Sequence, residues 1–317
     1  MRRGGYSINY LFLKLIGTWG KTAINSFVMI SGFFMCTSVL TARRFFKIFL
    51  EWMFYSFVVY GMLLVFGFAS CSPIRLFNLF FEPFTYINKA FTSSFVCFYL
   101  GIPFYNLIIK HTDKKGLYML TGGLLLLFVL PITFFGNCAV FHYVFWYMTL
   151  YFVGACIRLY PFKWMERNKV VLPLLFGGVV VASGAILGRI VCPNVMTKAL
   201  GAVAGVWESS TLFAFGIGVA FFLAFKNLRI GYHPVLNKIA SCMFGVLCIH
   251  AASDAMRFWL WRVICRVPGY AHANLDILAL HAACCVMAIM VVCCLIDLVR
   301  QRWIEKPFFN RFLNDRS

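Results

Sequence analysis

The chain has 317 residues, of which 62% are apolar and 19% aromatic, while only 12% are charged. An average soluble domain is about a quarter charged, so this composition excludes a disordered chain, a coiled coil and a small disulfide-framed secreted domain; a soluble globule would be unable to cover so much apolar surface. Long unbroken apolar runs such as 122–131 and 284–296 argue against the alternating segments of about ten residues that build a membrane β-barrel. What remains is an all-α, polytopic helical membrane protein.

A spanning helix needs about 20 mostly apolar residues. Nine runs are read as spans, in chain order 23–42, 45–69, 91–110, 117–136, 140–160, 170–191, 209–226, 239–261 and 275–299. The third holds Pro103 and the polar Asn106, which predicts a kink or break. Residues 192–208 read as a loop or a short re-entrant piece. This divides the chain into an N-terminal extracytoplasmic or interfacial segment (1–22), a transmembrane domain (23–299) and a basic cytoplasmic tail (300–317).

Orientation follows from Lys and Arg in the connections. Arg43, Arg44 and Lys47, then Lys110, Lys114 and Lys115, then Arg158, Lys163, Arg167 and Lys169, then Lys226, Arg229 and Lys238 share one side with the tail from Arg300 to Arg316. The opposite side carries fewer: Arg75, Lys89, Arg189, Lys198, Arg257, Arg262 and Arg266. The first side is expected to be cytoplasmic, with the C-terminus inside the cell membrane. The net charge of +19 is then a matter of topology and anionic headgroups, with no call for nucleic acid. An odd number of spans places residues 1–22 outside, yet they carry Arg2, Arg3, Lys14 and Lys21. Either a further helix upstream or an interfacial or re-entrant segment at 8–20 resolves the conflict.

The 13 cysteines contain no C-x-x-C pair at zinc spacing, so no metal site is expected. Most sit in apolar runs and read as packing residues; Cys71, Cys138, Cys192 and Cys265 fall near the outer face, where pairing is open to them. No phosphate-binding loop, dinucleotide fingerprint, zincin or nucleophile-elbow pattern is present.

Three features stand out, because an ionisable group inside a span costs about 3 kcal/mol at the helix centre. Ser31 and Gly32, with Cys36 four residues after the glycine, fit close helix packing. Arg44, Lys47 and Glu51 lie near one helix face, either as snorkelling bases with an interfacial ion pair or as a cationic site for the phosphates of a nucleotide-bearing substrate. His250, Asp254 and Arg257 are spaced to share one stripe of a helix. A lone His there is a packing residue more often than a catalyst, but three costly groups on one face also fit a wet interior site.

The segment AINSFVMISGFFM, followed by a basic turn and KIFLEWMFYS, resembles the second span and following segment of the membrane acyltransferase 3 family, in particular its polysaccharide and exopolysaccharide O-acetyltransferase branch. In order along the chain, YLGIPFYNLIIK, WYMTLYFVGACIRLYP, FKNLRIGYHPVLNKIASCMFGVLCIH and RQRWIEKPF are similar to further family segments. The order of these motifs is more specific than any one of them. Gly245 to His250 reads G-V-L-C-I-H where the family more often has an aromatic.

The resemblance implies about ten spans and transfer of an acyl group, usually acetyl, from cytoplasmic acyl-CoA as co-substrate, with no bound cofactor. The acceptor it implies is a sugar hydroxyl, generally on a polysaccharide at or beyond the outer face. Family members carry a His on their first span, regarded as the base, with a nearby Arg; the first span read here looks like the family's second, so both lack a counterpart in that place. That agrees with the upstream helix suggested by charge. On this reading His250, Asp254 and Arg257 line the acceptor side of a tunnel, with His250 as base and Asp254 orienting its ring. Arg43, Arg44 and Lys47 meet the phosphates of acyl-CoA, and Ser31, Gly32, Glu51 and Asn106 belong to the tunnel and its packing. The competing expectation is a non-catalytic membrane protein: a glycan flippase, a transporter or a degenerate acyltransferase.

Overall fold

A computed structural model describes residues 7–85 and 91–312; Arg2, Arg3, Lys89 and Arg316, used above for orientation, lie outside them. Every element among the described residues is helical. In chain order the helices are α1 (Ile8–Gly17), α2 (Gly20–Met35), α3 (Ala42–Val65), α4 (Pro73–Thr85), α5 (Phe91–Leu100), α6 (Ile102–Lys110), α7 (Lys114–Phe135), α8 (Tyr143–Leu159) and α9 (Asn168–Val191). They continue with α10 (Val195–Val203), α11 (Leu212–Lys226), α12 (Pro234–Ser241), α13 (Met243–His250), α14 (Asp254–Phe258), α15 (Val267–Tyr270), α16 (Leu275–Arg300) and α17 (Lys306–Phe312). A 3-10 turn occupies Lys163–Glu166, and π-helical turns occupy Trp259–Ile264 and Gln301–Glu305.

The expectation of nine spans needs correction. Among the described residues four helices are long and apolar enough to cross a membrane: Ala42–Val65, Lys114–Phe135, Asn168–Val191 and the continuous stretch Leu275–Arg311. The number rises to six if two bent pairs each count as one span. All nine runs contain helix, but α2, α8 and α11 have 16, 17 and 15 residues. At 1.5 Å per residue these reach only about 22–26 Å, short of the roughly 30 Å hydrocarbon core. The run 91–110 breaks by 48° between α5 and α6, near the expected position, and the run 239–261 breaks by 95° after His250. The ambiguous stretch 192–208 holds α10, closed at its start by a reciprocal Asn194–Thr197 capping box. The chain is therefore an all-α, multi-pass helical protein.

It forms two compact units, each assembled from two stretches of sequence: one from the N-terminal residues to Leu40 and from Phe98–Arg229, the other from Thr41–Cys97 and from Ile230 onward. In the first unit, α2 lies directly on α8. A Cβ on Gly32 would strike the Tyr151 backbone within 3 Å, and one on Gly154 would meet Phe33 N at 2.8 Å, so both positions must lack a side chain for the helices to touch. Trp146, Tyr147, Leu150 and Tyr151 fill the interior alongside them. In the second unit, Trp52, Tyr55, Val59 and Leu63 of α3 pack with Val246 and Ile249 of α13 and with Cys293 and Cys294 of α16. Outward-facing apolar residues such as Phe176, Val180, Leu280 and Leu295 remain exposed, as a lipid-facing surface requires.

Candidate functional site

In the second unit the start of α3 meets the end of α16. Thr41 caps α3 by accepting a hydrogen bond from Arg44 N, and the next turn supplies Arg43 and Lys47. Together with Glu305, Lys306, Phe309 and Asn310 they line a cavity of about 160 Å³. Arg43 lies over the Phe309 ring at 5.7 Å, and Lys47 pairs with Glu305 at 2.8 Å. Three cations and one carboxylate around one depression suit an anionic group. Arg44 is exposed and does not line this cavity.

Deeper along α3 lies a buried charge network. Arg300 is only 5% exposed and Asp297 fully buried. Arg300 Nε donates to Asp297 Oδ1 at 2.8 Å and Nη1 to Glu305 Oε2 at 2.9 Å. Its Nη2 lies 3.1 Å from Glu51 Oε1, an ion pair in which neither atom makes a hydrogen bond among the described residues. Tyr55 OH donates to Asp297 Oδ1 at 2.7 Å, and Gln301 Nε2 to Oδ2 at 2.7 Å. Gly245 of α13 makes room for the network, because a Cβ there would collide with the Asp297 carboxylate. Buried charges persist only when paired and hydrogen-bonded, and here one guanidinium serves three carboxylates. Glu51, expected near a tunnel, is part of this network, and neither it nor Lys47 pairs with the other.

The single stripe expected for His250, Asp254 and Arg257 is not formed. The helix ends at His250, and α14 starts after a 95° bend. Ser253 is the cause: its extended backbone and its Oγ, which accepts from Met256 N at 3.1 Å, restart the helix in a new direction. Asp254 and Arg257 form an ion pair with each other, and the Asp254 side chain is 96% exposed. His250 is half-buried, and its Nδ1 sits 2.6 Å from the Val246 carbonyl. An Nδ1–H donated to that carbonyl orients the ring and leaves the Nε2 lone pair available. His250 thus has an orienting partner, but it is its own helix and not Asp254.

In the first unit Gly32 is the α2–α8 contact point and Ser31 is half-buried beside it, an arrangement consistent with helix packing. Asn106 Nδ2 donates to the carbonyls of Met35 and Ser38 at 3.0 Å each, and its Oδ1 accepts from Tyr151 OH at 2.6 Å. It thereby ties α6 and α8 to the turn that follows α2. A second polar centre forms around Glu208 on the loop before α11. Glu208 accepts from Tyr143 OH at 2.9 Å and Ser209 N at 2.7 Å, and pairs with Lys21 at 3.3 Å. Nearby, Asn25 Nδ2 donates to Ser209 O and its Oδ1 accepts from Trp146 Nε1.

Sequence reasoning missed Asp297, Arg300 and Glu305, having counted Arg300 only as a tail charge. The available signal was an Asp three residues ahead of an Arg inside an apolar run, a spacing that pairs on a helix. Glu208 gave a weaker signal, a lone acid in a connection. Cys71, Cys138, Cys192 and Cys265 are not in disulfides, and no group of three His, Cys, Asp or Glu suited to a metal ion occurs among the described residues.

A family model described as an acyltransferase domain matches residues 2–297. No curated protein and no solved structure matches the chain.

Proposed function

The chain belongs to the membrane acyltransferase 3 family, and from that premise we propose that it is an integral membrane O-acyltransferase. It moves an acyl group, acetyl in most relatives of this kind, from cytoplasmic acyl-CoA to a sugar hydroxyl of a cell-surface or exported polysaccharide. The observation that carries this reading is the family match across residues 2–297. The basic end of the second unit, with the C-terminus, then faces the cytoplasm, in keeping with the Lys and Arg distribution.

Within that reading, Arg43, Lys47 and Lys306 hold the phosphates of acyl-CoA at their shared cavity. His250 Nε2 takes the proton from the acceptor hydroxyl as its oxygen attacks the thioester carbonyl. The carbon–sulfur bond breaks, CoA leaves as its thiolate, and the proton on His250 is returned to that sulfur. What supports His250 as base is its Nδ1 contact with the Val246 carbonyl. His250 lies eight residues, about 12 Å, along the helix from Cys242, beside which Gln301 is anchored to Ser241 O, so base and phosphate cavity sit at different depths. Asp254 and Arg257 lie beyond the bend, towards the acceptor side.

Release of free CoA from acetyl-CoA by the purified protein, over a panel of cell-surface glycans, tests this. Glycan-dependent release that falls by about 10²-fold or more in His250→Ala is expected. No release with any glycan would argue against the enzyme reading, and unchanged release in the variant would remove His250 from the mechanism.

A further inference from the structure

The first unit contains a cleft unrelated to the charged groups described so far. It has a volume of about 620 Å³, well within the range of ligand sites, and its walls come from α7, α8, α9 and α11. The walls are almost entirely apolar. Along α11 they run from Leu212 to Leu223, a rise of about 17 Å, or close to half the thickness of a hydrocarbon core of roughly 30 Å. The cleft is therefore as deep as one leaflet.

Its two ends differ in chemistry. At the end formed by the start of α7 and the 3-10 turn, Tyr118 stacks on Phe162 at 5.3 Å and donates its hydroxyl to Tyr160 O. Lys114 sits 5.9 Å over the Tyr160 ring. Trp164 lines the cleft, and the exposed Lys163 and Arg167 flank it in the chain. Asn227 fastens this turn to the end of α11 by donating to Met165 O at 2.9 Å. Aromatic rings followed by lysine and arginine mark the headgroup level of a membrane. The cleft below them is too apolar to hold a sugar or a nucleotide.

We propose that this cleft is a binding site for one anionic phospholipid, with an acyl chain laid between α7, α9 and α11 and the headgroup phosphate held by Lys114, Lys163 and Arg167. The charge at the mouth matches the headgroup and the apolar depth matches the chain. Two glycines line the cleft where a Cβ would meet nothing within 4 Å, Gly122 and Gly216, so a side chain added at either starts into open space.

The test uses the full chain reconstituted in phosphatidylcholine vesicles. These carry a trace of phosphatidylglycerol, or in parallel of phosphatidylcholine, with a photoactivatable group on the acyl chain; the labelled residues are read by mass spectrometry. Labelling of Leu174 and Ile217 is expected, stronger for phosphatidylglycerol. The preference should fall about five-fold for each of Lys163→Ala and Arg167→Ala, both surface changes that leave the helices intact. Gly216→Leu and Gly122→Leu should each abolish labelling of Leu174 and Ile217 with unaltered thermal unfolding. Equal labelling by the two lipids, a preference unmoved by Lys163→Ala and Arg167→Ala, or labelling undiminished in the folded glycine variants would overturn the proposal.

Discussion

Tyr55 and Asp297 stand 242 residues apart in the chain and are joined by a hydrogen bond of 2.7 Å. It ties the first long helix of the second unit to its last one. Asp297 also accepts from Arg300 and Gln301, so removing Tyr55 OH leaves the carboxylate partly satisfied. Tyr55→Phe is expected to cost about 1–3 kcal/mol, read as a lowered thermal midpoint of the purified protein in detergent. An unchanged midpoint would mean that the bond contributes no net stability.

Arg300 is the sole cation that touches all three carboxylates of the buried network among the described residues. Arg300→Ala should be far more damaging than Tyr55→Phe, about 3–5 kcal/mol, because it leaves buried acids uncompensated. Arg300→Lys keeps the charge but loses the planar fork that reaches separate partners, and should fall between wild type and Arg300→Ala in the same unfolding measurement. If Arg300→Lys and Arg300→Ala unfold alike, the geometry of the fork matters more than its charge.

At the α2–α8 contact the obstacle to a side chain is backbone, not a mobile side-chain end. Gly32→Val should therefore cost more than the 1–3 kcal/mol typical of an overpacked core, whereas Gly123→Val, where a Cβ meets nothing within 4 Å, should be tolerated. Comparing folded yield by size-exclusion chromatography of the two variants checks this. Equal yields would show that α2 and α8 can separate at no cost.

For the cavity proposed to hold the acyl-CoA phosphates, Arg43→Ala and Lys306→Ala are predicted to raise KM for acyl-CoA several-fold with little change in kcat, the pattern of lost ground-state binding. Lys47→Ala is the less informative variant, since it also strips Glu305 of one of its two ion pairs. A fall in kcat at constant KM would place these residues elsewhere in the reaction.

The apolar runs located helix in every expected span, because hydropathy reports burial in lipid or protein directly. They did not report helix length: the run 140–160 begins before α8 and ends at Tyr160, whose backbone is no longer helical, and the run 209–226 begins three residues before α11. The break after His250 was masked because Ala251 and Ala252 are good helix formers, and only Ser253 signalled a new N-terminus. Asn106 was legible as a polar residue at a kink, but its partners on the α2 end are non-local. Glu51 reads in the sequence as sharing a helix face with Arg44 and Lys47, whereas its partner Arg300 lies at the start of a segment whose basic residues look like a cytoplasmic tail.

The π-helical turn at Gln301–Glu305 has a consequence for the geometry of that tail. In a regular α-helix, residues five apart point about 140° away from each other; the wider turn brings Glu305 back beneath Arg300, where the two meet at 2.9 Å. One extra residue of winding thus sets the angular phase of everything that follows, including Lys306 and Phe309 on the cavity wall. What matters in this stretch is accordingly the π turn itself rather than any one side chain. Relaxing Gln301–Glu305 to a regular α-helix at unchanged length would rotate α17 by about 100° and dismantle the cavity wall without altering any side chain in it, whereas loss of one residue would let a regular helix keep the glutamate, then four residues on, beneath Arg300.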